Sequence, residues 1–414
     1  MKVITVILML LPLLLAAQSY TLEELITYGL ENSFSVQKSA LSYQSSKSTL
    51  NTSKWNLLPD ASVSGGVKKD FDPAVNTDDV TSSAGLSIGK TISLNDAAYF
   101  NYLYASLDTK TANMKLEQTR RAYAYEVFSA YLKVLSSQKQ RSSLEENLQI
   151  QIRVWEQSKI LLQLGKTTPF EVKQNEIAVL NSNISLMKLD NTIANARKEL
   201  FALVQMQDEG YPLTELELNI QKEIPAFNTE KNADLNILNQ ELKRLNLQLK
   251  QNKLDDFPRL NLAYNFDRSV SGADFDFDRY NTNHGISLTL SYPLFNIGEN
   301  AESRTRTKIS RQLSQVAIEE KKDQLQRDYD SALRELQYLK RMNELYSEQL
   351  AQSREQITQA EERYRLGLIE LLELDKTRTN YIETDISYNT NLYSIIAKQE
   401  EINYLLSEPV LGKW

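Results

Sequence analysis

The chain has 414 residues, with 47 Lys and Arg against 54 Asp and Glu for a formal net charge of −7, one His and no Cys. Bases interleaved with acids exclude a basic face for nucleic acid, and the absence of cysteine excludes disulfide staples. About 400 residues of mature chain must therefore be held by long elements or by association between copies.

The N-terminus, MKVITVILMLLPLLLAAQS, sets Lys2 before an apolar run that ends in Ala16 and Ala17. This is the pattern of a secretory signal peptide, predicted over residues 1–17. The run is short for a membrane anchor and contains Pro12, and no cysteine offers a lipid anchor. No later stretch is apolar for the length a transmembrane helix needs, which leaves β-barrel strands open because they need only about ten alternating residues.

TLEE opens the first helix, with Thr21 as N-cap and Glu24 placed to return its carboxylate to the cap amide. Its apolar stripe starts at Leu22, Leu25 and Ile26 and continues weakly, as one helix, to Trp55 before Pro59. The period then changes to two, and a strand pair is predicted at about 60–94. Ala61, Val63, Gly65 and Val67 form one apolar face, while Leu86, Ile88, Ile92 and Leu94 form another that Lys90 interrupts. A long helix follows from Ala97 to Leu164, Gly165 breaks it, and a shorter one runs from Phe170 to Gln207.

The whole passage recurs roughly 200 residues on, the sign of an internal duplication. NSFSVQKSALSYQ at Asn32 answers NADLNILNQELKR at Asn232, LLPDASVSGG answers DFPRLNLAYN, and Gly85 and Gly165 answer Gly285 and Gly367. The predicted organisation is a first repeat at 18–209, a joining segment at 210–231 whose Pro212 and Pro225 forbid one helix, a second repeat at 232–406, and a tail at 407–414. In the second repeat the strand pair falls at about 259–293, between a helix to Leu254 and a long helix from Gly298 to Leu366. Leu371 to Leu406 is the closing helix. Almost 70 residues at 1.5 Å each make each long helix a rod of roughly 100 Å.

The second strand pair alternates cleanly, with Leu260, Leu262, Tyr264 and Phe266 on one face and Ile286, Leu288, Leu290 and Tyr292 on the next. The candidate lipid-facing residues are Leu262, Tyr264, Phe266, Ile286, Leu288, Leu290 and Tyr292. The loops within the pairs, KKDFDPAVNTDDVT and DRSVSGADFDFDRYNTN, are long and hydrophilic, as on the outer side of an outer-membrane barrel. Four strands cannot close a barrel, and open edges in lipid would leave backbone groups unpaired, so closure needs other chains.

No histidine-dependent pair, phosphate-cradling glycine loop or nucleophile elbow is present, so the chain does not read as an enzyme and no cofactor is expected. The lone His284 reads as a loop residue and DFDFDR lacks calcium-loop spacing, so no metal site is assigned. The competing class is a periplasmic coiled-coil adaptor or scaffold without a pore, whose helices would look alike; the strand pairs argue against it.

The TLEE start with Asn32, the turns LLPDAS and DFPRLN, SYPLFNIGE at Ser291 to Glu299, and YRLGLIELLELDKTR at Tyr364 to Arg378 together resemble the TolC-like outer membrane efflux protein family, over essentially all of the mature chain. The resemblance implies a mainly α fold with transmembrane β: a trimeric, twelve-stranded outer-membrane β-barrel continued by a long periplasmic α-helical barrel. It makes the joining segment and tail an equatorial collar. It also implies an exit duct for tripartite efflux or type I secretion, working as a homotrimer in outer-membrane lipid with a periplasmic adaptor and an inner-membrane pump.

By the same resemblance the helix-turn tips are Gly165 and Gly367, and the inward gate acids fall at Glu373 and, in the first repeat, Glu171. Tyr364 matches a latch tyrosine. The latch arginine would fall at Ile369, and a second inward aspartate at Lys376 beside Asp375, so the family's closed-state network is not reproduced. Glu171 and Glu373 also suit helix N-termini for purely local reasons.

Overall fold

The computed structural model describes residues 19–71, 80–216, 224–271, 281–292 and 294–413. The expected signal peptide and most of both hydrophilic loops, including DFDFDR, lie outside the described residues. The chain divides into two compact units, one of Lys38–Gln118 with Thr229–Leu325, the other of Met1–Gln37, Thr119–Asn228 and Gln326–Trp414.

The first half of the chain carries α1 (Leu22–Asn32), α2 (Phe34–Trp55), β1 (Asp60–Lys69), β2 (Val80–Ser93), α3 (Ala97–Gln163) and α4 (Pro169–Val204). The second carries α5 (Ala233–Leu254), β3 (Arg259–Ser271), β4 (Asn281–Ser291), α6 (Ile297–Arg365) and α7 (Leu371–Leu405), and a 3-10 turn at Val410–Gly412 follows. Helix α1 opens on a complete capping box, the Glu24 amide donating to Thr21 Oγ1 and the Thr21 amide to the Glu24 carboxylate.

The single helix read from Thr21 to Trp55 is in fact two. Ser33 is extended, at φ −62° and ψ 129°. The Gln37 side chain donates to the carbonyls of Glu31 (3.4 Å) and Asn32 (3.1 Å), taking over groups the interrupted helix leaves open. Beyond the break, Ser46, Thr49, Thr52 and Ser53 of α2 each donate to the carbonyl four residues back, which explains why an apolar stripe is hard to see there.

In the unit that holds the strands, one antiparallel sheet has the order β1-β2-β3-β4. Its register sorts the side chains. Val63, Leu86, Phe266 and His284 form one cross-sheet row, and Ala61, Ile88, Tyr264 and Ile286 the next. Leu262 pairs with Leu288 and Leu260 with Leu290 on that same face. Ser62, Ser87, Asn265 and Gly285 lie on the opposite face, as do Thr91, Asn261 and Thr289. From the His284 row to the Leu290 row one face is therefore apolar but for Lys90 and His284, and the other is polar, charged or small. His284, read from sequence as a loop residue, lies inside β4; flanking Asn and Thr residues hid the strand, and pairing with β3 decides it.

The apolar face is not buried within the chain: Val63 is 84% exposed, Ile286 76% and Leu288 65%. Among the described residues, strands β1 and β4 have their outer edges unpaired. Polar side chains tie α5 and its exit turn to α6. Asn300 donates to Asp256 at 2.7 Å, Arg304 pairs with the same carboxylate, and Asn252 reaches Thr307 at 2.9 Å. Asp255 and Asp256, an acid pair with no evident purpose in the sequence, are spent here, Asp255 receiving a bond from Asn95.

The other unit has a conventional core. Tyr329, Ala332, Leu336, Ile395, Ile402 and Leu406 bring α6 and α7 together, with Phe227 packed against them. Tyr131 is wholly buried, yet its hydroxyl donates to the carbonyls of Tyr20 (3.0 Å) and Thr214 (2.6 Å), joining the N-terminal strand segment to the joining segment. Glu400 is buried and accepts from the amide of Leu411 at 3.1 Å, which draws the tail onto α7.

Candidate functional site

The turns that close α3 and α6 are built alike. Gly165 stands at φ +68° and Gly367 at +69°. Lys166 donates to Leu161 (2.8 Å) and Gly165 to Leu162 (3.0 Å); Leu368 donates to Arg363 (2.8 Å) and Gly367 to Tyr364 (2.9 Å). Each is the paired-bond ending of a Schellman motif, which a left-handed residue makes possible. A Cβ at either glycine would meet nothing within 4 Å, so the demand is conformational rather than one of space.

The helices that leave these turns begin differently. Helix α4 starts with Pro169 behind Thr168, whose hydroxyl accepts from the Glu171 amide at 3.2 Å, while Thr167 donates to the Glu171 carboxylate. Helix α7 starts at Glu370, which makes no side-chain cap bond. Glu373 is exposed on the first turn of α7, as is Lys376 one turn on.

Between the two hairpins lies a small cluster. Leu374, Val154, Ile357 and Ala360 are its buried apolar part, and Tyr364, Ile369 and Tyr381 pack against them. Arg378 enters from α7 with only 3% of its side chain exposed, facing Glu361 at 3.4 Å and Asp375 at 3.5 Å. Burial pulls the Arg378 guanidinium below its ordinary value, against the opposing pull of Asp375 and Glu361. Burial raises Asp375, which Arg378 counteracts. Tyr364 is raised first by burial, then by the charges of Glu171 and Asp375, with Arg378 again opposing.

The structure thus brings Tyr364, Glu171 and Asp375 into one electrostatic neighbourhood and leaves Glu373 and Lys376 outside it, in solvent. The cation beside them is Arg378 of α7. Arg378 was not picked out from the sequence; its signal was the three-residue step from Asp375, which puts both on one helix face beside buried Leu374.

The outer membrane efflux protein model matches residues 25–204 and 229–407. The chain belongs to that family. Outer membrane efflux proteins of the TolC type are conduits rather than catalysts, and channel function in general follows for this one. The fold is shared with the Campylobacter jejuni CmeC outer membrane channel, at a TM-score of 0.81 and 16% identity, over 95% of this chain and 87% of that one. The Vibrio cholerae outer membrane protein VceC gives 0.78 and 15%, over 94% and 96%. The open-state Neisseria gonorrhoeae MtrE outer membrane channel gives 0.80 and 17%, over 93% and 88%. No curated protein is significantly similar in sequence. Among the described residues no helix of this efflux protein is long and apolar enough to cross a membrane, and no group of three or more His, Cys, Asp or Glu is placed to hold a metal ion.

Proposed function

We propose that three copies of this efflux protein assemble into one outer-membrane channel, the exit duct of a tripartite efflux pump or of a type I secretion system. The observation that carries this reading is the sheet, which has an exposed apolar face, a polar opposite face and two unpaired edges. In lipid each unpaired backbone group costs several kcal/mol, so open edges are not tolerated. Three chains that pair β1 with a neighbour's β4 make a closed wall of twelve strands. Leu262, Tyr264, Phe266, Ile286, Leu288, Leu290 and Tyr292 then meet lipid, and the polar face lines water.

The long helices α3 and α6, with their shorter partners, form the periplasmic helical barrel. Ile177, Leu180, Ile184 and Met187 make an exposed stripe along α4 that a neighbouring copy covers. The joining segment and tail lie on the equatorial collar. A periplasmic adaptor contacts the tips, and an inner-membrane pump, directly or through the adaptor, supplies energy and chooses the cargo.

At the tip, Glu171 and Glu373 from three copies form two carboxylate rings facing a narrow lumen, a device that favours cations over anions. Purified protein in a planar bilayer tests both levels. A heat-resistant trimer in detergent with single-channel conductance is expected, and a soluble monomer without detergent would make the chain a periplasmic scaffold instead. Glu171→Gln and Glu373→Gln are expected to lower cation preference or divalent block; currents identical to the parent in both would remove these residues from the gate.

A further inference from the structure

The interleaving of acids and bases that holds over the chain as a whole lapses where the helices meet the sheet. All of α2, from Phe34 to Trp55, carries Lys38, Lys47 and Lys54 and no acid. The sheet-side half of α5, Leu242 to Leu254, carries Lys243, Arg244, Lys250 and Lys253 and again no acid. Past its first turns α6 does the same from Ser303 to Ile318, with Arg304, Arg306, Lys308 and Arg311. The matching stretch of α3, Ala97 to Leu116, adds Lys110 and Lys115 against one acid, Asp108, which Arg244 already pairs at 3.3 Å. In a chain whose acids outnumber its bases this is segregation, not average composition.

The four stretches form one zone. Thr109 of α3 donates to the Ser46 carbonyl of α2 (3.0 Å), Tyr104 of α3 to Gln251 of α5 (2.7 Å), and Asn252 of α5 to Thr307 of α6 (2.9 Å). Its bases lie no more than about 22 residues from a strand end, roughly 30 Å along a helix. The lysines of α2 and α5 are all exposed, as are Arg306 and Lys308. Along α2, Lys47 and Lys54 share a face, while Lys38 stands about 180° round from Lys47 at about 100° per residue. Both sides of that helix therefore carry bases.

We propose that this zone makes the duct a passage that favours anionic solutes, those bearing carboxylate, phosphate or sulfonate groups. The inference rests on the reading above, in which three copies enclose a water-filled lumen and these helices form its wall next to the strands. With bases on both sides of α2, the lumen meets them whichever way the helix is turned. Inside, the charges of three copies act on one narrow column of water between low-dielectric walls, which focus a single field; on the outer side, salt screens them separately. Lys and Arg suit anion pores as rings of acid suit cation pores.

Glu171 and Glu373 oppose this preference, so the test uses full-length E171Q/E373Q in a planar bilayer, with about 10 mM potassium chloride against about 100 mM, where screening lengths are roughly 30 and 10 Å. A reversal potential of the sign set by chloride is expected. K38Q/K47Q/K54Q/K243Q/K250Q/K253Q on that background should lose it, since all six lysines are exposed and no packing is removed. A reversal potential of potassium's sign, or none, in E171Q/E373Q overturns the proposal, as does one that the lysine variant leaves unchanged. If either variant does not assemble, the parent decides: inositol hexakisphosphate added on the loop side should block its current and uncharged inositol should not, and equal effects of the two overturn the proposal. A parent that conducts nothing overturns the duct and this inference with it, whereas a conducting channel without anion preference overturns this inference alone.

Discussion

A guanidinium with 3% of its side chain exposed and carboxylates no nearer than 3.4 Å is expensive, and Arg378 is held by the packing around it as much as by its charges. Arg378→Ala would leave a void beside Leu374 and two carboxylates short of a cation. We expect it to lower unfolding free energy by about 1–3 kcal/mol, less than for a fully buried pair because Glu361 and Asp375 keep contact with water; urea titration of the tip, followed by limited proteolysis, would read the change. Glu400 makes a pH-dependent case. Burial raises its pKa, opposed by the Leu411 amide and Asn403, so the folded state favours the protonated form. Its contribution is complete below about pH 4.3, the ordinary glutamate value, and is lost as pH rises through the higher folded value. Glu400→Gln should therefore melt above the parent at pH 8 and level with it at pH 4, as thermal circular dichroism would record. Neither residue announces itself in the sequence, because burial of a charge depends on what packs over it.

Elements were easier to read where one physical demand acts alone. The glycine turns require a left-handed residue, and Gly165 and Gly367 supply it at φ +68° and +69°. Since no atom crowds a Cβ there, Gly165→Ala and Gly367→Ala should each cost about 1 kcal/mol through backbone conformation, and asparagine should cost less. Hydrogen exchange at the amides of Lys166 and Leu368 measures this at the turn itself. The period-two pattern likewise made β3 and the second half of β4 plain. Strand β1, written DASVSGGVKK, carries so little hydrophobicity that only its partner makes sense of it. The break at Ser33 was illegible because no glycine or proline marks it, and the Gln37 side chain that supports it acts from outside α1.

For the whole molecule, the two sheet faces predict opposite outcomes for neighbouring residues. Leu288→Arg puts a charge on the apolar face near mid-depth, where it costs about 2–4 kcal/mol in lipid. Thr289→Arg puts the same charge on the polar face. Outer-membrane fractionation with single-channel recording should show loss of inserted channel for the first and an inserted channel with altered conductance for the second. The sheet's amphipathicity was visible in sequence, whereas the number of copies was not, since no pattern within one chain states how many neighbours complete it. The unlike edges have one more effect. Because a β1 edge differs from a β4 edge and every copy in the proposed wall must point the same way, such a wall would grow only in blocks of four staves, like a cask assembled from ready-made panels. In that duct a copy with one spoiled edge would leave a breach that no sound neighbour could mend, so a minority of faulty chains would disable every duct they entered.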